Sequence, residues 1–343
     1  MTCDKNMRTL AIVLVAIIWA PPSFADDEIG IFETILESSV SFSETNTALA
    51  EAIAGSELLL QATHDVRVPG DKHKARLYVL TSPAFVDAAA AESPRTASAQ
   101  VLRIAVFTSG DQQNTFVNMA NPVAHAMIYF AESADYDALV AAAGKAAEVM
   151  RGLVEAIPGR AVSIQAEPKR TEKKFRKFNG DGPAKMMAKF RTWDESQLVI
   201  IEDSADNFDG VVEQVTARLA AATVSGDIED PAGWEVVSNI RLRDDVVHIG
   251  LTNPYIENKM IGINSRFRKE GKSDVSPYPG VDHVAALPTE LLIVREGSQT
   301  LVLHYGQMWR MQLYFWDSGY RAFTANVGVP GNIVESIEEA VLE

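Results

Sequence analysis

Hydrophobic and polar positions along this chain predict one order of elements, and that order comes twice. In the first half, 32–37 reads as a short strand, and Ser41 and Glu44 have the spacing of a capping box at a helix start. The helix that follows puts Leu49 and Ile53 on one face. Segments 58–68, 75–81, 101–108 and 114–119 read as four strands, with Ser109-Gly110-Asp111 turning between the last two as in an antiparallel hairpin. The alanine-rich stretch 83–92 predicts a short helix. A long helix closes the half: Leu139, Ala143, Ala146, Met150, Leu153 and Ile157 form one apolar stripe, ended by Pro158-Gly159. In the second half, 198–202 is a strand, and 208–222 is a helix with Val211, Val215 and Leu219 on one face. Strands follow at 234–242, 246–251, 290–296 and 300–305, with Glu296-Gly297-Ser298 as the hairpin turn. A further strand is expected at 311–316 and a last helix at 333–342.

Local residues recur with the pattern. Leu80-Thr81-Ser82-Pro83 returns as Leu251-Thr252-Asn253-Pro254, and Gly110-Asp111-Gln112 as Gly297-Ser298-Gln299. Ile35-Leu36-Glu37 followed by Phe42 matches Ile200-Ile201-Glu202 followed by Phe208, and Tyr129-Phe130 matches Tyr314-Phe315. An α+β fold of two tandem repeats is therefore expected, with any site between the copies or where they differ. They differ most between the shared proline and the shared glycine. There the second copy is longer, around 264–286, a polar segment containing Ser276-Pro277-Tyr278-Pro279-Gly280. Loops of that length in compact domains are usually functional or disordered, so the segment either lines a site or is passive decoration.

Residues 1–25 read as a secretory signal: Lys5 and Arg8, the apolar run 9–20, then Ser23-Phe24-Ala25 with small residues where signal peptidase needs them. Met7 is an alternative start. The run is too short to span a bilayer, and no later stretch matches its length. Cleavage after Ala25 points to a bacterial periplasm and removes Cys3, the sole cysteine, so neither disulfides nor thiolate chemistry are expected. Losing Asp4, Lys5 and Arg8 makes the net charge of −15 one unit more negative, which disfavours nucleic acid as a partner. The exception is 168–191, with nine Lys or Arg against Glu172 and Asp181. It reads as a solvated linker docking on the acidic repeats, or as a contact for an anionic partner. The expected organisation is a signal (1–25), a first repeat (26–160), a basic linker with a short helix (161–196) and a second repeat (197–343).

These segments resemble the domain of unknown function 302 family, in tandem. The second copy carries the Asn253-Pro254 turn and the later Leu287-Pro288-Thr289-Glu290-Leu291; the first keeps Ser82-Pro83 without the leucine-proline step. The resemblance implies a strand, a helix, a four-stranded meander and a helix, the layout of the TATA-binding-protein-like group. It also implies pairing, so that two copies in one chain form a pseudo-dimer within a monomer. It supplies no catalytic residues.

Chemistry is thinly signalled. There is no Gly-x-Ser-x-Gly elbow, no His-Glu-x-x-His helix and no phosphate-cradling glycine loop. His283 beside Asp282 is the one pair a hydrolase reading could use, which points away from an enzyme without excluding one. Copper handling is an alternative: His125 and Met127 follow Met119, His304 precedes Met308 and Met311, and imidazole with thioether suits copper. His248 and His304 fall on strands expected to lie two apart. The leading expectation is a non-enzymatic binding or accessory protein for a small apolar or amphipathic ligand or a periplasmic protein, with no cofactor. Asn253, Tyr255, Lys259 and Arg266 are its candidate lining residues, together with Arg268, Tyr278, His283 and His304.

Overall fold

A computed structural model describes residues 28–68, 73–109, 114–182, 184–187, 192–263 and 280–343. The expected signal, and Arg266, Arg268 and Tyr278, lie outside the described residues. Among the described residues eleven strands form two sheets. The first contains β1 (Phe32–Ser38), β2 (Leu59–Val66), β3 (Ala75–Thr81), β4 (Val101–Ser109), β5 (Asn114–Ala120) and β6 (Gly159–Gln165), in the order β2-β3-β4-β5-β1-β6. The second contains β7 (Gln197–Ser204), β8 (Glu235–Arg243), β9 (Val246–Thr252), β10 (Thr289–Glu296) and β11 (Gln299–Tyr305), in the order β7-β11-β10-β9-β8. Every neighbouring pair is antiparallel.

Read from its far edge, the second sheet follows β2-β3-β4-β5-β1 strand for strand. The irregularities agree as well. The β1–β5 register slips at Ile35 and the β7–β11 register at Ile200. The β2–β3 register slips at Gln61 and the β8–β9 register at Val237. A bulge bends its strand and increases the local twist, so the two sheets are curved at matching points. The two-residue turn after Glu296 has Gly297 at φ +58°, which a side chain would disfavour. Gly250 on β9 admits Pro288, whose ring would lie 2.4 Å from an added Cβ.

Helices cover one face of each sheet. In the first half α1 (Phe42–Ala54) begins with the expected capping box of Ser41 and Glu44. Next come α2 (Pro83–Ala88), α3 (Pro122–Tyr129) and α4 (Tyr136–Glu155), which buries Leu139, Ala143, Ala146 and Met150. Two short helices, α5 (Glu172–Arg176) and α6 (Ala184–Met187), lie between the halves in sequence. In the second half α7 (Phe208–Ala221) is followed by α8 (Pro254–Ile261), α9 (Gln307–Tyr314), α10 (Gly319–Ala325) and α11 (Val329–Leu342). Phe208, Val211, Val215 and Leu219 of α7 join Ile333, Ile337 and Val341 of α11 over Val247, Ile249, Leu291 and Ile293. Among the described residues no helix is long and apolar enough to cross a membrane.

The other faces meet. One continuous core takes in Leu77 and Ala105 from the first half with Leu292, Val294, Leu303 and Tyr305 from the second. Each half also sends a 3-10 turn across: Pro94–Gln100, ahead of β4, packs on β9 and β10, and Val281–Ala286, ahead of β10, packs on β3, β4 and β5.

Three expectations need correction. Segment 311–316 is the end of helix α9 followed by a 3-10 turn, Trp316–Ser318, not a strand. Helix α9 is buried nearly all round, so its 3.6-residue period does not show in the sequence. The linker expected from 161 begins as strand β6, paired along the outer edge of β1; it is exposed on both faces and therefore lacks alternation. The basic segment is not uniformly solvated either. Arg170 is 1% exposed, bonds Asp181 through Nε at 2.9 Å, and lies over the rings of Phe175 and Phe178.

Candidate functional site: a buried charge network beside an apolar cleft

Charged residues occur within two of the most buried strands. Leu80 pairs with Leu102 and Leu251 with Thr289, so the registers put Arg103 of β4 and Glu290 of β10 at the same place in their own sheets. Both are 3% exposed. Arg103 Nη1 donates to Glu290 Oε1 at 3.3 Å, which ties the halves together. Helices α3 and α9 add the next layer. They end on Tyr129-Phe130 and Tyr314-Phe315, and one turn before each tyrosine stand His125 and Arg310. Arg103 Nη2 lies 2.9 Å from His125 Nε2 and donates to the Tyr314 hydroxyl at 3.0 Å, while His125 Nε2 and that hydroxyl are 2.7 Å apart. Arg310 Nη1 binds the other oxygen of Glu290, and its Nη2 donates to the Ala286 carbonyl at 2.7 Å.

The charges do not balance. Burial, then the Arg103 guanidinium, holds His125 well below the usual imidazole value, so it is neutral. Two guanidinium groups then face one carboxylate. Burial, with Arg103 acting in the same direction, also pushes Arg310 down against the opposite pull of Tyr314 and Tyr129. A guanidinium keeps its proton regardless, so the strain falls on the environment as an excess of buried positive charge.

Arg310 also lines a cleft of about 60 Å³ confined to the second half. Its walls are largely apolar: Ile256 and Met260 from α8, Leu287 before β10, Met311 from α9, Phe315, and Val329, Pro330 and Ile333 from α11. Lys259 lines it too, with its ammonium bound to Glu229 and lying over the Tyr255 ring. The first half fills the corresponding place. Counting from the shared prolines, Phe85 stands where Ile256 stands, and it packs edge-on against Phe130 with ring centroids 6.2 Å apart. Ile256 is only half-buried, opposite Phe315, and its smaller side chain leaves the space open.

Of the residues expected to line a site, Lys259 is on the cleft. Asn253 caps α8, accepting from the Ile256 amide at 2.9 Å and donating to the carbonyls of Pro231 and Gly233. Tyr255 is buried and its hydroxyl accepts from Asn332. His283 packs against Phe32 of the first half, its Nε2 2.9 Å from Asp317 and its Nδ1 3.3 Å from Asp282. The neighbour in sequence does therefore face it, and a second carboxylate joins from beyond α9. His304 is enclosed beneath α7 and α11, and burial lowers its pKa to about 4. His248 and His304 flank β10 as expected but point to opposite faces: His248 lies across from Leu292, which lies across from Leu303. They cannot share an ion. Among the described residues no three His, Cys, Asp or Glu side chains gather as a metal site.

Arg103, Glu290, Arg310 and Tyr314 were missed as site residues by sequence reasoning, and His125 was singled out only as a copper candidate. A signal for two of them existed, in the single charge inside Val101-Leu102-Arg103-Ile104 and inside Thr289-Glu290-Leu291-Leu292.

No family model matches the sequence, and no curated protein matches it. A solved structure, that of an uncharacterized conserved protein DUF302 from Bacillus stearothermophilus, is similar over 37% of this chain and 99% of its own, at 11% identity and a TM-score of 0.31.

Proposed function

We propose that this is a secreted, periplasmic, non-enzymatic binding or accessory protein, made of two copies of a unit like that of the domain of unknown function 302 family, whose second copy holds a small amphipathic ligand. The matching strand order, the paired bulges and the recurring Leu-Thr-x-Pro landmarks support two copies joined as a pseudo-dimer within one chain. The N-terminal pattern of 1–25 supports export. The observation that carries the ligand reading is the cleft of the second half, apolar along its walls and with Arg310 and Lys259 among its lining residues. The test is native mass spectrometry with elemental analysis on protein isolated from the periplasm, alongside Ile256→Phe. A bound organic mass that Ile256→Phe removes supports the reading. Stoichiometric copper, or a mass that the variant retains, overturns it.

A further inference from the structure

We infer that the cleft selects an amphipathic anion, with a carboxylate or similar head group received by Arg310; this rests on the ligand reading above. Two differences between the halves coincide. The half whose pocket is closed by Phe85 carries His125 at the inner position, and burial keeps that imidazole neutral. The half whose pocket is open carries Arg310 at the corresponding position on α9, and its charge is permanent. The cation appears where there is room for something to meet it.

The charge balance points the same way. Arg103 and Arg310 share Glu290, and His125 beside them is neutral. A buried excess of one positive charge is costly unless paired. Glu290, the Ala286 carbonyl and Tyr314 engage three of the five N–H donors of Arg310, and the other two remain for a further acceptor. Lys259 at the cleft adds a second cation, although it is already engaged by Glu229. Ile256, Met260, Val329, Pro330 and Ile333 provide the apolar wall for a hydrocarbon body. A neutral amphiphile would leave the charge uncompensated, and a cationic one would add to it.

The test uses the full secreted chain and three probes of equal chain length, decanoate, decanol and decylamine, titrated by calorimetry at neutral pH. Decanoate should bind at least about tenfold more tightly than decanol, and decylamine should not bind, since charge of the wrong sign in a desolvated site is strongly unfavourable. Ile256→Phe should abolish decanoate binding. Arg310→Gln should abolish the preference for decanoate over decanol, with the fold checked by circular dichroism. Equal binding of decanoate and decanol to the unmutated protein overturns the anion inference but leaves the cleft reading in place. No binding of any probe overturns both. Should Arg310→Gln fail to fold, the ranking of the three probes on the unmutated protein still decides.

Discussion

Arg103 and Glu290 occupy the same position in their two sheets, carry opposite charge, and meet each other across the molecule at 3.3 Å. An identical residue at both places would have set two like charges together in the core. The ion pair therefore requires the two halves to differ at this place, and each half depends on the other to satisfy its buried charge. Arg310 makes the dependence one-sided, because Glu290 serves two guanidinium groups.

Glu290→Gln should consequently be severe. It leaves Arg103 and Arg310 buried beside each other with no carboxylate, and breaking a buried pair from one side costs about 3–5 kcal/mol. Urea unfolding followed by tryptophan fluorescence measures this, and a loss below about 1 kcal/mol would show that solvent reaches the network.

Stability should fall as the pH drops from about 6.5, the imidazole value in an unfolded chain. Burial lowers His248 to about 3 and His304 to about 4, and holds His125 well down. The unfolded chain therefore takes up protons that the folded one refuses, so the contribution of each group is whole above the unfolded value and is lost at about 1.4 kcal/mol per pH unit below it. For Glu33, burial acts to raise the pKa but the bonds from Arg151 and Ser163 outweigh it, so its contribution disappears only below the ordinary carboxylate range. His248 finds no hydrogen-bond partner for either ring nitrogen among the described residues, and Leu77 holds its place in the first half. His248→Leu should thus keep or raise stability at pH 7 and reduce the slope between pH 6 and pH 5 by about one proton, as read from urea melts at each pH.

Exchanging the residues that open and close the pocket should have unequal effects. Ile256→Phe fills existing space and should change stability by less than about 1.5 kcal/mol. Phe85→Ala empties a filled site and should cost about 3–5 kcal/mol. Thermal melts of the two variants separate them. Similar losses from both would mean that the second pocket is already filled in solution.

The basic segment should come loose when Arg170 is removed. Arg170 bonds Asp181, stacks on Phe175 and Phe178, and its backbone exchanges hydrogen bonds with Ile29. Arg170→Ala should speed tryptic cleavage within 168–191 at least about tenfold while the sheets on either side stay resistant, with mass spectrometry of the fragments as readout. An unchanged cleavage pattern would mean that the aromatic residues hold the segment without it.

The recurrence of Leu-Thr-x-Pro, the alternating strands and the stripes of α4, α7 and α11 are local properties, so they were legible along the chain. An element with one buried face announces itself by its period. Helix α9 did not, because burial on most sides leaves no polar face to mark a period, and β6 did not, because an exposed edge strand has no buried one. The candidate site was hidden for a different reason. Arg103 and Glu290 lie far apart in sequence, and so do His125 and Tyr314; only the packing of one half against the other brings them within 3.3 Å and 2.7 Å. The cleft likewise depends on Ile256 being too small to reach Phe315 as Phe85 reaches Phe130. Sequence order determines which residues each half has to offer. Whether a charge is paired, or a space filled, is decided by the volume and polarity of what the other elements place against it.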